Sequence, residues 1–279
     1  MTKAVAVSGS FDDLRSAQVR FLQEAARLGP VQVLLWSDEQ VQAHAGRPPR
    51  FSAGERRYLL EALRYVDRVT DPAAAFDPDT LPDAARMGAG WWAVGEAEDS
   101  PGKRAFAAVH GLEYRVVRSG ELRGFPAGPP GSGGPAAAAS GGPQRKVVAT
   151  GCFDWFHSGH VRFFEEASEL GDLYVVVGHD ANVRLLKGEG HPLFPQEERR
   201  YLVQSVRHVR QALVSSGTGW LDAEPEIEAL RPEIYVVNED GDKPEKRAYC
   251  EANGIEYVVL KRKPKEGLPR RQSTDLRGY

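Results

Sequence analysis

The stretch Thr150–Ala167 reads TGCFDWFHSGHVRFFEEA, and its pattern predicts a strand end, a turn and a helix in that order. The preceding residues, KVVAT, are β-branched and apolar, which is typical of a strand. After the turn, Val161, Phe164, Ala167 and Leu170 recur at helical spacing, so one face of the helix would be apolar. The stretch therefore predicts a strand–turn–helix unit of an α/β fold.

Two histidines stand at the start of this predicted helix, with His157 and His160 bracketing Ser158 and Gly159. A helix N-terminus carries unpaired N–H groups and a partial positive charge, so it attracts phosphate. Gly159 would let a ligand approach the backbone, and two imidazoles can stabilise charge that grows on an anion. A surface turn is the alternative interpretation. The coincidence of strand, glycine-bearing turn and helix favours a phosphate site.

The segment resembles the HxGH motif of the nucleotidyltransferase superfamily, in its cytidylyltransferase-like branch. The usual opening G-x-F-D-x-x-H-x-G-H is matched by Gly151, Phe153, Asp154, His157, Gly159 and His160. The resemblance spans most of residues 146–279. It implies transfer of a nucleotidyl group from CTP or ATP to a phosphorylated alcohol or sugar, with release of pyrophosphate. It also implies that His157 and His160 are catalytic and that the other four residues contact the nucleotide.

The chain also contains an internal repeat of three blocks in one order and at nearly one offset. Residues 8–25, 51–66 and 101–117 align with residues 150–167, 194–209 and 244–260, respectively. Such agreement indicates duplication rather than chance. The sequence predicts two tandem Rossmann-like nucleotidyltransferase domains with parallel sheets, related by a pseudo-twofold axis. This tandem arrangement is similar to that of the ethanolamine-phosphate cytidylyltransferases.

The two copies differ where phosphate chemistry is expected. His157, His160 and Lys187 of the second copy align with Arg15, Gln18 and Ala45 of the first. We therefore expect residues 1–126 to form a degenerate, non-catalytic domain and residues 145–279 to form the catalytic one. Between them, residues 127–144 read AGPPGSGGPAAAASGGPQ, a composition that predicts a flexible linker.

Strands and helices alternate along the second copy, which predicts a parallel sheet with ligands bound at the carboxyl ends of its strands. The pattern predicts strands at 146–150, 173–177, 210–214, 234–237 and 255–260, and helices at 196–207, 221–230 and 243–253. Lys187 falls in a glycine-flanked segment predicted to be a loop. The resemblance implies that this lysine contacts phosphates, whereas an ordinary loop lysine would be solvated.

The closing run contains Arg270, Arg271, Ser273 and Thr274, and it resembles two phosphate-binding segments of the superfamily. One is R-T-x-G-x-S-T, and the other is the S-S-T-x-[IL]-R segment of adenylyltransferase branches. Hydroxyl groups at a helix start also cap backbone N–H groups, which is the alternative role. Because the Arg-Thr-x-Gly spacing is not reproduced, which arginine contacts phosphate stays open.

Acidic and amide side chains supply further candidates. Asn238 and Asp242 follow a predicted strand end, where they would bind sugar hydroxyls or the acceptor, or form a polar turn. Asp154 would orient a histidine or help to hold magnesium, although Asp12 occupies the same place in the first copy. His191 is expected to lie on the surface.

The composition of the chain limits the kinds of partner that are expected. The chain has 279 residues with 36 basic and 39 acidic side chains, so no basic excess argues for nucleic acid. No run is apolar and long enough to cross a membrane, and the N-terminus has no signal-peptide pattern. Cys152 and Cys250 have no metal-ligand partners in sequence, which favours a reducing compartment and a cytoplasmic location.

Three functions stay open. The first is transfer of CMP from CTP to a phosphorylated alcohol such as phosphoethanolamine or glycerol phosphate. The second is adenylyl transfer to a sugar phosphate, and the third is a non-enzymatic nucleotide-binding or assembly module. For the enzymes we expect Mg²⁺ carried by the nucleotide without direct side-chain ligands, and an intramolecular pseudo-dimer or a homodimer.

Overall fold

The computed structural model describes residues 3–74, 76–126 and 145–276, and the chain divides into two compact units between Gly124 and Phe125. The predicted linker at 127–144 lies outside the described residues, so its flexibility stays a prediction. Within the described ranges, no helix combines the length and apolar character needed to cross a membrane.

The first unit is a five-stranded parallel sheet with helices in its connections. Its strands are β1 (Ala4–Gly9), β2 (Val31–Leu35), β3 (Val66–Thr70), β4 (Ala89–Gly95) and β5 (Glu113–Val117). Its helices are α1 (Ser16–Ala25), α2 (Asp38–Ala45), α3 (Ala53–Glu61) and α4 (Pro101–Val109). The strand order is β3-β2-β1-β4-β5, and every pairing is parallel.

The second unit repeats this arrangement. Its strands are β6 (Lys146–Gly151), β7 (Asp172–Val177), β8 (Gln211–Val214), β9 (Ile234–Asn238) and β10 (Glu256–Leu260). Its helices are α5 (Ser158–Ser168), α6 (Asp180–Lys187), α7 (Gln196–Gln204), α8 (Glu224–Leu230) and α9 (Pro244–Ala252). The order β8-β7-β6-β9-β10 is the order of the first sheet shifted by five strands. The predicted α/β class and the parallel sheets are confirmed.

The central strand β6 shows why this sequence forms a covered parallel sheet. Val147, Val148 and Ala149 are fully buried, so side chains on both faces of the strand are excluded from water. Helices cover both faces of such sheets, and the strands are therefore continuous apolar runs rather than alternating ones. The carboxyl end of β6 leads into the turn that precedes α5.

Helix α6 was not predicted, and it changes the place of Lys187. This residue is the last of α6 rather than part of a loop, and Gly188 ends the helix with a positive φ of 84°. The His179 side chain caps the helix start by accepting a hydrogen bond from the Asn182 backbone N–H. The helix has only eight residues, so its four apolar side chains span little more than two turns, which is a short window for recognising a helical period.

A buried arginine ties the elements together in each unit. In the second unit, Arg199 is fully buried and donates to the carbonyls of Phe194, Cys152 and Gly178 and to the Asp180 carboxylate. In the first unit, Arg56 donates in the same way to Phe51, Ser10, Trp36 and Asp38. Since each charged group is matched by hydrogen bonds, both arginines stabilise the fold around the strand ends.

Candidate functional site

An open cleft of about 400 Å³ lies at the carboxyl ends of the strands in the second unit. Segments that follow all five strands contribute to its wall, which is where a parallel α/β sheet places its ligands. The cleft-lining residues include Gly151, Phe153, Asp154, Gly159, His160, Lys187, Asn238 and Ser273 from the predicted set. The structure therefore brings most of the predicted site residues together.

The turn after β6 needs its glycine for a local reason. Phe153 has a positive φ of 51°, and its ring lies over Gly151, where an added Cβ would come within 2.8 Å of a ring carbon. The same conformation occurs in the first unit, where Phe11 has φ of 46°. A non-glycine residue with positive φ is strained, so the surrounding packing must hold this turn.

His157 caps α5 and lies behind the cleft rather than in its wall. Its side chain is fully buried, and Nδ1 accepts a hydrogen bond of 3.1 Å from the Gly159 backbone N–H. Nε2 therefore carries the proton of the neutral ring, and it has no hydrogen-bond partner among the described residues. A Cβ on Gly159 would lie 3.0 Å from this ring, so the glycine makes room for the histidine.

His160 is the histidine that faces the cleft. Its ring stacks on that of His157 with centroids 3.9 Å apart, and Nδ1 is buried without a partner among the described residues. Burial lowers the pKa of His157 to about 3, and the Arg262 and Arg271 charges act in the same direction. Burial also lowers the pKa of His160, together with the charges of His157, Arg262 and Lys187. Both rings are therefore neutral at pH 7.

Cations stand on both sides of His160. Lys187 is exposed at the end of α6 and has no ion-pair partner in the described part of the chain. Arg262 follows β10, pairs with Asp240, and donates 3.0 Å to the carbonyl of Arg271. Lys187 and Arg262 therefore place two positive charges close to His160, and Asp240 offsets part of the charge of Arg262.

Arg270 and Arg271 do not line the cleft itself. They line an adjacent groove beyond Arg262, together with Lys261, Lys263 and Lys265 and the start of α5. The groove shares Gly159, Asn238 and Arg262 with the cleft, so the two are contiguous. Whether Arg270 or Arg271 contacts phosphate stays open.

The closing run forms a short helix at Ser273–Leu276. The Ser273 hydroxyl lines the cleft and donates to the Trp155 carbonyl over 3.3 Å. The Thr274 side chain lies outside the described residues, so its predicted contact with the nucleotide stays a prediction.

Asp154 has a structural role in the fold, and its contact with a nucleotide or magnesium stays a prediction. Its carboxylate is buried, and Oδ1 accepts hydrogen bonds from the backbone N–H groups of Leu193 and Phe194 at 2.7 and 3.1 Å. In the first unit, Asp12 accepts from the equivalent N–H groups of Arg50 and Phe51. In each unit, this aspartate therefore fastens the loop before the next helix.

His191 was expected on the surface, and the structure places it inward. Its Nδ1 lies 3.4 Å from the Asp154 carboxylate, and its side chain is only 17% exposed. It belongs to the segment between α6 and α7, at the back of the turn that carries the motif.

Asp242 does not line the cleft, contrary to the sequence prediction. Its carboxylate binds the Arg247 guanidinium and the Tyr257 hydroxyl. The first unit has the same cluster, with Asp99 bound by Arg104 and Tyr114. The neighbouring Asp240 and Gly241 line the cleft instead, so the strand end was predicted correctly and the residue was not.

Several cleft residues were missed by sequence reasoning: Asn182, Trp220, Asp222, Lys246 and Arg262. Each follows a strand end by a few residues, which is the only signal that could have found them. Lys246 is 8% exposed and donates to the Thr150 hydroxyl over 3.3 Å. Burial lowers the pKa of its ammonium, which Asp222 partly offsets.

The first unit has a tryptophan where the second has a cleft-lining glycine. Trp36 and Gly178 are equivalent, because each gives its carbonyl to the buried arginine of its unit. The Trp36 ring is 6% exposed and donates 2.8 Å to the Ser8 hydroxyl, and Ser8 is equivalent to the cleft-lining Thr150. An indole therefore fills the place that corresponds to the floor of the cleft.

Comparison with known proteins identifies the family of the second unit. The sequence profile described as "Cytidylyltransferase-like" matches residues 148–271. The FAD synthase of Ferroglobus placidus is 37% identical over 126 residues, which are 44% of this chain and 79% of that protein. The bifunctional protein HldE of a Nitratiruptor species is 38% identical over 98 residues, which are 35% of this chain and 21% of that protein.

Among solved structures, a lipopolysaccharide core biosynthesis protein from Thermoplasma volcanium is 25% identical, with a TM-score of 0.37. It covers 44% of this chain and 99% of its own. The match to the Ferroglobus placidus protein spans most of that relative, so the chain belongs to the cytidylyltransferase-like family. It is a nucleotidyltransferase, as the resemblance of its motif implied.

Proposed function

We propose that the second unit transfers an adenylyl group from ATP to a phosphorylated acceptor and releases pyrophosphate. The observation that carries the proposal is the placement of His160, at the start of α5, between Lys187 on one side and Arg262 on the other. The choice of ATP is supported by the relatives named FAD synthase, because the product in that name contains an adenylyl group. Transfer of CMP to phosphoethanolamine or glycerol phosphate receives no such support.

The chemistry requires positioning and charge neutralisation rather than a covalent intermediate. An acceptor phosphate oxygen attacks the α-phosphorus, a new P–O bond forms, and the bond to the β-phosphate oxygen breaks. His160 would donate a hydrogen bond to the α-phosphate, where charge grows in the transition state. His157 holds the helix start and the ring of His160, so we assign it a positioning role.

The cations divide the remaining work by location. Arg262 and the groove that contains Arg270 and Arg271 would hold the β- and γ-phosphates. Lys187, on the opposite side of His160, would hold the acceptor phosphate or a bridging oxygen. Backbone N–H groups at the start of α5 would add to the field that favours the anion.

Mg²⁺ is proposed to enter with the triphosphate and to screen its negative charge. In the described ranges, no group of three or more candidate ligand side chains lies close enough together to hold a metal ion. Phosphate oxygens and water would therefore provide its ligands. A cytoplasmic location, a pseudo-twofold pair within the chain and a homodimer stay predictions.

Pyrophosphate release from ATP and from CTP, each against a panel of phosphorylated acceptors, tests the proposed function. We expect turnover with ATP and at least one acceptor. His160→Ala should lower turnover by on the order of a hundredfold, because it removes a transition-state hydrogen bond. Gln18→Ala, at the equivalent position of the first unit, is the matched control and should leave turnover unchanged. Turnover with CTP but not with ATP would contradict the proposal, and so would a fully active His160→Ala variant.

A further inference from the structure

Three polar side chains meet at the carboxyl end of β6, on the side of the sheet that α9 covers. The Tyr235 hydroxyl on β9 lies 2.7 Å from Thr150 Oγ1, and the Lys246 ammonium on α9 lies 3.3 Å from the same oxygen. Tyr235 is 1% exposed and does not line the cleft, whereas Thr150 is half-buried and does. The Thr150 hydroxyl therefore connects this buried cluster to the cleft.

The number of hydrogen-bond donors around Thr150 Oγ1 fixes the direction of its own proton. An ammonium group can only donate, so Lys246 takes one lone pair of this oxygen. Burial raises the pKa of the Tyr235 hydroxyl, so the phenol keeps its proton. Among the described residues, Thr150 is the hydrogen-bond partner of this phenol, and a buried O–H without an acceptor is costly, so Tyr235 donates as well. Both lone pairs are then filled, and the Thr150 proton points away from them toward the cleft.

The equivalent hydroxyl of the first unit is bound differently. Ser8 corresponds to Thr150, but it receives the indole N–H of Trp36 over 2.8 Å. Trp92 takes the place of Tyr235, because the two residues pair with the same position of the central strand in their own sheets. An indole at this position has no hydroxyl group to donate. The first unit therefore lacks the phenol that orients the hydroxyl of the second.

The lysine is present in both units, but only one of the two reaches the hydroxyl. Lys103 aligns with Lys246 in the repeat. Its ammonium donates to the Glu98 carbonyl over 2.7 Å and lies 3.4 Å from the Asp79 carboxylate. Within the described ranges, the two donors converge on a strand-end hydroxyl in the second unit and not in the first. The arrangement therefore accompanies the unit that carries the cleft and the two histidines.

The position of Thr150 in the sheet indicates which atom its proton meets. The strand order β8-β7-β6-β9-β10 puts β6 in the middle, and Thr150 lies at its carboxyl end. Under the proposed function, the α-phosphorus lies between the leaving pyrophosphate and the attacking acceptor oxygen. The group between these two partners belongs at the middle of the cleft. Charge grows on its non-bridging oxygens during transfer, where a hydrogen-bond donor that is already oriented is most effective.

We infer that Thr150 is a catalytic residue whose hydroxyl donates a hydrogen bond to a non-bridging oxygen of the α-phosphate. Lys246 and Tyr235 are positioning residues, because they fill the lone pairs of the hydroxyl and so aim its proton. The inference rests on the proposed function for the location of the α-phosphate. It adds a second neutral donor to the one proposed for His160.

The first test uses turnover of the full chain with ATP and an acceptor. Thr150→Val keeps the shape of the side chain and should lower the rate of pyrophosphate release by about tenfold to a hundredfold, because it removes a transition-state donor. Thr150→Ser restores the hydroxyl and should recover most of the rate. Tyr235→Phe should give a smaller loss, because it frees a lone pair without removing the hydroxyl. Ser8→Ala, at the equivalent position of the first unit, is the matched control and should leave the rate unchanged.

The second test needs no turnover and uses the two diastereomers of ATPαS. Each carries sulfur in place of a different non-bridging oxygen of the α-phosphate, and sulfur is a weak hydrogen-bond acceptor. Calorimetry without an acceptor gives the ratio of their dissociation constants. The ratio for Thr150→Val should differ from that of the parent by roughly threefold or more, the low end of what one hydrogen bond contributes. A purely structural role would weaken both diastereomers equally and leave the ratio unchanged.

An unchanged ratio would overturn the inference, and so would parental turnover by Thr150→Val or a loss confined to the KM of the acceptor. Failure of the proposed function is seen separately, in a parent chain that binds ATP but releases no pyrophosphate with any acceptor. The ratio of the two diastereomers still decides the role of Thr150 in that case.

Discussion

At the scale of single residues, the two histidines show how burial prepares a group for an anionic ligand. His157 and His160 are stacked, neutral and close to cations, so neither ring is charged before a ligand binds. A negatively charged phosphate in the cleft would oppose the charges of Arg262 and Lys187 and would favour proton uptake. Under the proposed function, the histidines would be neutral hydrogen-bond donors that gain charge with the ligand.

The low pKa of His157 predicts how stability depends on pH. Its folded pKa of about 3 lies below the unfolded value near 6.5, so the unfolded chain binds more protons in between. The contribution of the neutral ring is complete above pH 6.5 and is lost as pH falls toward 3. The slope for one such group is about 1.4 kcal/mol per pH unit.

His157→Asn keeps a helix-capping side chain and removes this titration. Denaturant unfolding at pH 7.5 and at pH 5.0 measures the difference. We expect the parent to lose more stability than the variant over this interval, by up to about 2 kcal/mol. Equal losses in the two proteins would show that His157 titrates normally in the folded state.

Residue identity in the motif could be predicted because the chemistry there demands particular atoms. His160 at a helix start and Gly159 beside it were found in this way. Asp242 was not, because an acid after a strand end satisfies the same pattern whether it faces a ligand or an arginine. The first unit has the equivalent cluster at Asp99. This shows that the acid binds an arginine rather than a ligand, but only once the side chains are placed.

At the scale of elements, both units use an aspartate to connect the turn after their first strand to the segment before a later helix. The Asp154 carboxylate receives two backbone N–H groups, and the Asp12 carboxylate does the same in the first unit. Removing either acceptor leaves buried donors unsatisfied, which costs about 1–3 kcal/mol. Replacing Asp154 or Asp12 by alanine should therefore loosen the equivalent loop, each in its own unit.

Hydrogen exchange measures this prediction directly. In Asp154→Ala, protection should fall at the amides of Leu193 and Phe194, and in Asp12→Ala at those of Arg50 and Phe51. Each variant serves as the control for the other, because the loop of the unchanged unit should keep its protection. An Asp154→Ala protein with normal exchange and a hundredfold loss of turnover would point to a catalytic carboxylate instead.

Most strands and long helices were predictable because their apolar residues follow a clear period. Strand β6 and the start of α5 were predicted within a residue or two, and α7 ended three residues earlier than expected. Helix α6 was missed because it is short, and a stretch of eight residues gives few repeats of an apolar stripe. The cleft residues after β8 and β10 depend on loop conformation, which periodicity does not encode.

At the scale of the whole molecule, two units of the same strand order differ in the residues that stand at their strand ends. Trp36 fills the first unit at the place of Gly178, and Arg15, Gln18 and Ala45 stand where the second unit has His157, His160 and Lys187. We therefore predict one nucleotide site per chain. Calorimetric titration of the full chain with ATP should give a stoichiometry near one, and a value of two would contradict it.

The indole of Trp36 also limits which substitutions the first unit can accept. Introducing histidine, histidine and lysine at Arg15, Gln18 and Ala45 would place them above the buried Trp36 ring, so these changes alone would not create a site. Exchanging the buried indole for glycine first would open a cavity at a cost of about 3–5 kcal/mol, a large part of the stability of a domain. A change at this position is therefore constrained first by the folding of the unit, whatever side chains stand at its strand ends.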